Sequence, residues 1–161
     1  MKNLILLVFG LTALFLTGAT TKEKVLQYKG REFWLSYAIY FEARSESSAG
    51  QLAVGQVVLN RVKSPKWPAT IRGVVTQGRY EGDLPKLHQC AFSFWCDGIP
   101  EVVLNKKAWN KALRISEILL YKNNIDITDG ADHYELKNNK PWWSKDMKVK
   151  AIIDSHIFYK S

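Results

Sequence analysis

Residues 31–62 read REFWLSYAIYFEARSESSAGQLAVGQVVLNRV, and this stretch decides the fold. In its first half, apolar residues recur at intervals of three and four along one face: Trp34, Tyr37, Ala38 and Phe41. This periodicity predicts a helix over 31–44. Ser48 and Gln51 then have the spacing of a capping box, and the nearly continuous apolar run over 52–62 predicts a second, central helix behind it.

The rest of the chain predicts shorter helices followed by strands. Pro65 and Pro68 must end the second helix, because proline breaks the helical hydrogen-bond ladder. The remaining predicted elements are a short helix over 70–76, an irregular loop over 77–100, an amphipathic helix over 105–122, and strands over 131–136 and 150–158. Helices first and a small antiparallel sheet at the C-terminal end make an α+β fold.

Length and composition fit one globular domain. The chain has 161 residues, of which 47% are hydrophobic and 24% are charged, so a disordered chain or two ordinary domains are excluded. We place this domain at 31–161, after a polar linker over 20–30.

The first 19 residues have the pattern of a secretory signal peptide. Lys2 precedes an apolar run of 13 residues over 4–16, and small residues follow it over 17–19. The run is shorter than the roughly 20 residues that a membrane span requires, although an uncleaved signal anchor is the alternative. We therefore expect a secreted, periplasmic or wall-associated protein that contacts the membrane only through such an anchor.

The chain is basic, with a formal net charge of +8 that becomes +7 without Lys2. A basic exported domain suits an anionic partner such as the cell wall. The densest group of cations consists of Lys137, Lys140, Lys145, Lys148 and Lys150. A merely solvated face is the equally weighted alternative.

Cys90 and Cys96 are the only cysteines. In an exported protein, two cysteines favour a disulfide, and two buried thiols are the alternative. No further cysteine or histidine follows at zinc-finger spacing, so we expect no metal site and no cofactor.

Glu42 is the candidate for acid chemistry. The sequence lacks nucleophile and phosphate-loop motifs, whereas Glu42 ends an otherwise apolar helix beside Phe41. Apolar surroundings disfavour the charged carboxylate and raise its pKa, as a general acid for glycosidic cleavage requires. The alternative is a structural glutamate paired with Arg44 or a lysine. If the helix over 31–44 continued, Glu46 would lie on the same helical face as Glu42. The serines that follow Arg44 favour a helix end before Glu46 instead.

A second candidate group lies on the two late strands: His133, Tyr134, His156, Phe158 and Tyr159. If the strands pair, these side chains could face one groove and bind sugar hydroxyls and apolar sugar faces. Half-buried strand residues are the alternative. Two histidines without a third ligand are thin evidence for a metal.

Several motifs together resemble the SleB/CwlJ-type cell-wall hydrolases, the spore-cortex-lytic enzymes and their bacterial and phage relatives. They occur in the family's order at 40–46 (YFEARSE), 50–54 (GQLAV), 60–62 (NRV), 67–68 (WP), 90–98 (CAFSFWCDG), 130–134 (GADHY), 141–143 (PWW) and 156–159 (HIFY). The resemblance spans about 32–159.

The resemblance implies a lysozyme-like fold and cleavage of the bond between N-acetylmuramic acid (MurNAc) and N-acetylglucosamine (GlcNAc) in peptidoglycan. Glu42 would be the catalytic acid of a lytic transglycosylase, and Glu46 would support it. His133 and Tyr134 would shape the sugar groove, together with His156 and Phe158. We expect a monomer whose partner is the glycan strand.

Three positions depart from the family pattern: Ser45 and Asp154 replace usual glycines, and Asp132 replaces a usual threonine. The two extra acids could orient water, so a hydrolytic muramidase remains an alternative. A non-catalytic wall-binding module is a second alternative, although Glu42 is present in its motif. A nucleic-acid binder is disfavoured by the export signal and by the presence of only six arginines.

Overall fold

The computed structural model describes residues 30–122, 126–139 and 141–161. The predicted signal peptide and all of the linker except Gly30 lie outside the described residues. The elements are α1 (Arg31–Ala43), α2 (Ser48–Lys63), α3 (Ile71–Val75), β1 (Gly78–Glu81), β2 (Leu84–Cys90), α4 (Lys106–Tyr121), β3 (His133–Leu136), β4 (Lys148–Ile153) and β5 (His156–Lys160), with 3₁₀ turns at Ser93–Cys96 and Trp142–Asp146.

All four predicted helices are present, and their ends follow local capping chemistry. Asn105 caps α4 by accepting a hydrogen bond from the backbone N of Ala108 at 3.0 Å. The cap of α2 is Ser47 rather than the predicted Ser48, because the Ser47 hydroxyl accepts from the backbone N of Ala49 and of Gly50. The predicted capping box is therefore wrong, because the residue three positions after Ser47 is Gly50 and Gln51 donates instead to the backbone oxygen of Glu46.

The predicted irregular loop over 77–100 is wrong in its first half, which forms the antiparallel hairpin β1–β2. Gly82, with φ +60°, lies in the turn between the strands. Nearly every residue of both strands is exposed. Without a buried face, the strands have no apolar alternation in the sequence that could have predicted them.

The predicted strand over 150–158 is also wrong, since it is two strands joined by a turn at Asp154 and Ser155. Asp154 adopts φ +49°, a left-handed conformation that aspartate tolerates better than most residues. The strands pair antiparallel in the order β3-β5-β4. The α+β architecture with a small antiparallel sheet at the C-terminal end is confirmed.

The core has two parts, and α2 contributes to both. A larger helical core packs α1, α2 and α4 closely. A Cβ atom on Gly55 would collide with Leu119 Cδ1 and lie 2.9 Å from Ile39 Cδ1, so a larger residue there would require these side chains to shift. The smaller core packs Phe158 of the sheet against α2 and against Ala43 at the end of α1. This contact brings the sheet beside the last turn of α1.

None of the helices within the described residues has the length and apolar character that a membrane span requires.

Candidate active site

Glu42 lies in the last turn of α1 and lines a groove of about 500 Å³. Its side chain is half-buried. The groove is further lined by Tyr40, Phe41, Arg44, Ser93, Phe94, Asp97, Ile99, Pro100, Glu101, Val102, Leu104 and Asn105. The alternative of a structural ion pair is not formed, since Glu42 makes no salt bridge with Arg44 or any other described residue.

Tyr134 holds one oxygen of the Glu42 carboxyl. Its hydroxyl donates a hydrogen bond to Glu42 Oε2 at 2.9 Å, from strand β3 across to helix α1. The Tyr134 ring packs against His156 and Phe158, with ring centroids 5.4 Å and 5.9 Å away. This is the only hydrogen bond that Glu42 makes through its side chain to the described part of the chain.

Arg61 is a buried cation whose charge acts on Glu42. Its Nε donates to the backbone oxygen of Asp132 at 2.7 Å, and its guanidinium lies 4.3 Å from the centre of the Trp67 ring. Burial raises the pKa of Glu42, while the Tyr134 hydrogen bond and the Arg61 charge oppose that rise only in part. Glu42 therefore holds its proton to higher pH than an ordinary glutamate does.

Glu46 does not share a helical face with Glu42, because α1 ends at Ala43. Both of its carboxylate oxygens accept hydrogen bonds from Ser155, from the hydroxyl at 2.6 Å and from the backbone N at 3.2 Å. Glu46 thus fastens the turn between β4 and β5 to the connection between α1 and α2.

Asp154 lies at the start of α2 and not in the groove. Its Oδ2 accepts from the backbone N of Ser47 at 2.9 Å and of Gly50 at 3.2 Å. The hydrogen bonds from Ser47, followed by the one from Gly50, lower the pKa of Asp154. The expectation that this extra acid lies near the groove is wrong, because its carboxylate serves as an additional helix cap.

His133 points to the opposite face of β3 from Tyr134, and Asp132, the residue just before β3, contacts the His133 ring. His133 Nδ1 lies 2.8 Å from Asp132 Oδ1, and its ring packs between Trp67 and Trp143. The prediction that His133 and Tyr134 face one groove is wrong, because successive residues of a strand point to opposite faces.

Asp132 is buried, and both of its carboxylate oxygens have polar partners. Lys160 Nζ lies 2.9 Å from its Oδ2, and Ser161 donates to it through both its backbone N and its hydroxyl. Burial alone would raise the pKa of Asp132, but Lys160, His133 and Ser161 outweigh it and lower the pKa to about 2. Asp132 also lies outside the groove lining.

His156 and Phe158 share the face of Tyr134 but lie behind it. Phe158 is fully buried and His156 is buried, so neither presents a surface to a substrate. Burial also lowers the pKa of His156, which favours the neutral ring. Their place against the Tyr134 ring indicates that they hold that ring in position.

The far wall of the groove comes from the segment between β2 and α4. Phe94, Asp97 and Glu101 belong to the stretch that follows the hairpin. The Cys90–Cys96 disulfide joins the end of β2 to the 3₁₀ turn in this wall, with the two Cα atoms 6.1 Å apart. The cysteine pair for which the sequence favours a disulfide therefore lies in the wall of the groove.

The described residues include no group of three or more histidine, cysteine or acidic side chains that could hold a metal ion.

The sequence of this chain is similar to a known protein family. The model of the cell wall hydrolase family matches residues 45–159, beginning three residues after Glu42. The spore cortex-lytic enzyme of Bacillus cereus is 31% identical over 129 residues, which cover 78% of this chain and 42% of that enzyme. The enzyme of the same name from Oceanobacillus iheyensis is 42% identical over 65 residues, 39% of this chain and 24% of that enzyme. The chain thus spans less than half the length of these curated relatives.

Two solved structures are similar over most of the chain. The catalytic domain of the Bacillus cereus SleB protein has 30% identity and a TM-score of 0.56, covering 81% of this chain and 90% of that domain. The catalytic domain of the germination-specific lytic transglycosylase SleB from Bacillus anthracis has 29% identity and a TM-score of 0.59, covering 83% of this chain and 97% of that domain. These similarities confirm the predicted SleB-type resemblance, and this chain belongs to the cell wall hydrolase family.

Proposed function

We propose that this protein is a secreted enzyme that cleaves the β-1,4 bond between MurNAc and GlcNAc in peptidoglycan, as a lytic transglycosylase. The observation that carries the proposal is Glu42, a half-buried carboxyl in a groove, with one hydrogen bond to its side chain and a raised pKa. The name of the Bacillus anthracis neighbour, a lytic transglycosylase, supports the same reaction.

In the first step, Glu42 acts as the general acid. Tyr134 occupies Oε2, which leaves Oε1 to carry the proton into the groove. This proton passes to the bridging oxygen as the bond from MurNAc C1 to that oxygen breaks, and the GlcNAc end leaves with a free hydroxyl.

In the second step, the Glu42 carboxylate acts as the base. It takes the proton from the C6 hydroxyl of the same MurNAc while O6 forms a bond to C1. The product is a 1,6-anhydro end, no water is consumed, and Glu42 is protonated again. The Tyr134 hydroxyl and the Arg61 charge stabilise the carboxylate between the two steps.

The hydrolytic alternative needs a second carboxylate that positions a water molecule in the groove. Glu46, Asp154 and Asp132 accept structural hydrogen bonds instead. Asp97 and Glu101 are the other acids that line the groove. Hydrolysis would therefore have to use one of these two residues.

Mass spectrometry of the fragments released from purified peptidoglycan tests the proposal. Anhydro ends are expected, and these are lighter than reducing ends by one water. Reducing ends would assign the enzyme to the hydrolytic class instead, and intact strands would favour a non-catalytic wall-binding module.

We also propose that residues 1–19 are a cleaved secretory signal peptide and 20–30 a linker, so that the domain acts on the cell wall outside the cytoplasm. The exported protein is expected to begin near Thr20 and to be monomeric. N-terminal sequencing checks the cleavage, and Met1 retained on membrane-bound protein would instead support a signal anchor.

A further inference from the structure

Arg44 lines the groove two residues after Glu42, immediately beyond the end of α1. Its guanidinium carbon lies 5.4 Å from the centre of the Tyr40 ring, and the Tyr40 hydroxyl accepts a hydrogen bond from the backbone N of Asn105 at 3.0 Å. Gln51 donates to the backbone oxygen of Arg44 at 3.4 Å. Both the backbone and the guanidinium are therefore held against fixed, packed groups.

The charge of Arg44 has no partner in the described part of the chain. It forms no ion pair with Glu42, Asp97 or Glu101, although these acids line the same groove. Arg44 therefore presents unused donors to a ligand at the groove.

A guanidinium binds a carboxylate through two parallel hydrogen bonds, a geometry that neutral sugar hydroxyls do not match. Peptidoglycan carries carboxylates in two places, on the lactyl group of MurNAc that lacks a stem peptide and on the stem peptides themselves. We propose that Arg44 forms a carboxylate-binding subsite beside the scissile bond and makes the enzyme prefer acid-bearing strands. This inference rests on the proposed function.

The test measures binding without turnover, in protein carrying Glu42→Gln. Four soluble glycan fragments serve as probes: peptide-bearing strands, peptide-free strands with free lactyl carboxylates, and each of these with its carboxylates converted to neutral amides. Adding Arg44→Gln is expected to raise the dissociation constant roughly tenfold to a hundredfold for the fragment whose carboxylate is recognised. It is expected to leave the dissociation constants of the amidated fragments unchanged.

The fragment that responds identifies whether the lactyl or the stem-peptide carboxylate is bound. Arg44→Lys should recover part of the affinity, because lysine keeps the charge but not the paired donors. Arg114→Gln is the matched control, since Arg114 is exposed on α4 and does not line the groove.

Two results overturn the proposal: no loss on either acid-bearing fragment, or an equal loss on the acid-bearing and amidated forms. A failure of the proposed function would appear separately, as wild-type protein that releases no fragments from peptidoglycan.

Discussion

Two acids near strand β3 are in opposite states. Glu42 has a single side-chain hydrogen bond, from Tyr134. Asp132, by contrast, has Lys160, His133 and Ser161 around it. Burial raises the pKa of Glu42, whereas the partners of Asp132 outweigh its burial and lower its pKa to about 2.

The difference shows that burial alone does not decide the state of an acid. Removal from water disfavours the charged form of both groups, so the number and charge of the partners determine the outcome. Asp132 is a structural anion that ties the end of the chain to the sheet. Glu42 is left with too few partners to stay ionised easily, which suits an acid that must give up its proton to a substrate.

Replacing Glu42 with glutamine should have the largest effect. Glu42→Gln keeps the size of the side chain but cannot deliver a proton, so the rate of peptidoglycan clearance should fall at least about 100-fold. A raised folded-state pKa means that Glu42 costs stability as the pH rises above its unfolded value of about 4.5. The variant should therefore be at least as stable as wild type at pH 7.

Turbidity loss of purified peptidoglycan measures the rate, and thermal melting measures the stability. Glu117→Gln, an exposed change on α4, serves as the matched control and should alter neither quantity. A folded Glu42→Gln protein that clears the wall at a near wild-type rate would remove Glu42 from the mechanism.

The corresponding change at the second acid, Asp132→Asn, should affect stability and leave the activity per folded molecule intact. A pKa lowered from 3.8 to about 2 corresponds to about 2 kcal/mol of stability at neutral pH. This contribution is present above pH 4 and is lost as the pH falls through about 2. Urea unfolding should therefore show a smaller difference in the free energy of unfolding between wild type and variant at pH 3 than at pH 7.

If this difference in the free energy of unfolding stays constant with pH, Asp132 does not stabilise the fold through its negative charge. Loss of activity in folded Asp132→Asn would mean that Asp132 also contributes to the active site.

The smallest expected effect is that of Tyr134→Phe, which sharpens the account of Glu42. The Tyr134 hydrogen bond stabilises the Glu42 carboxylate, so its removal raises the pKa of Glu42 further. The basic limb of the profile of kcat/KM against pH, which reports loss of the proton from Glu42, should move to higher pH. A limb that stays in place or moves to lower pH would show that Tyr134 does not stabilise the carboxylate.

The sequence predicts the helices well because their apolar periodicity and capping residues are local. It also singles out Glu42, through an apolar helix end and a recognisable motif. The hairpin β1–β2 was missed because neither face is buried. The roles of Glu46 and Asp154 could not be predicted either, since both depend on a turn between β4 and β5 that packs against residues about a hundred positions away in the chain.

Titration of the Glu42 carboxyl in the folded protein, monitored by ¹³C NMR of labelled side chains, tests whether burial raises the pKa of this acid. The Glu42→Gln and Asp132→Asn proteins identify the two signals by their absence. Glu42 should titrate above 4.5 and Asp132 near 2. A Glu42 carboxyl that titrates at or below 4.5 would contradict the account.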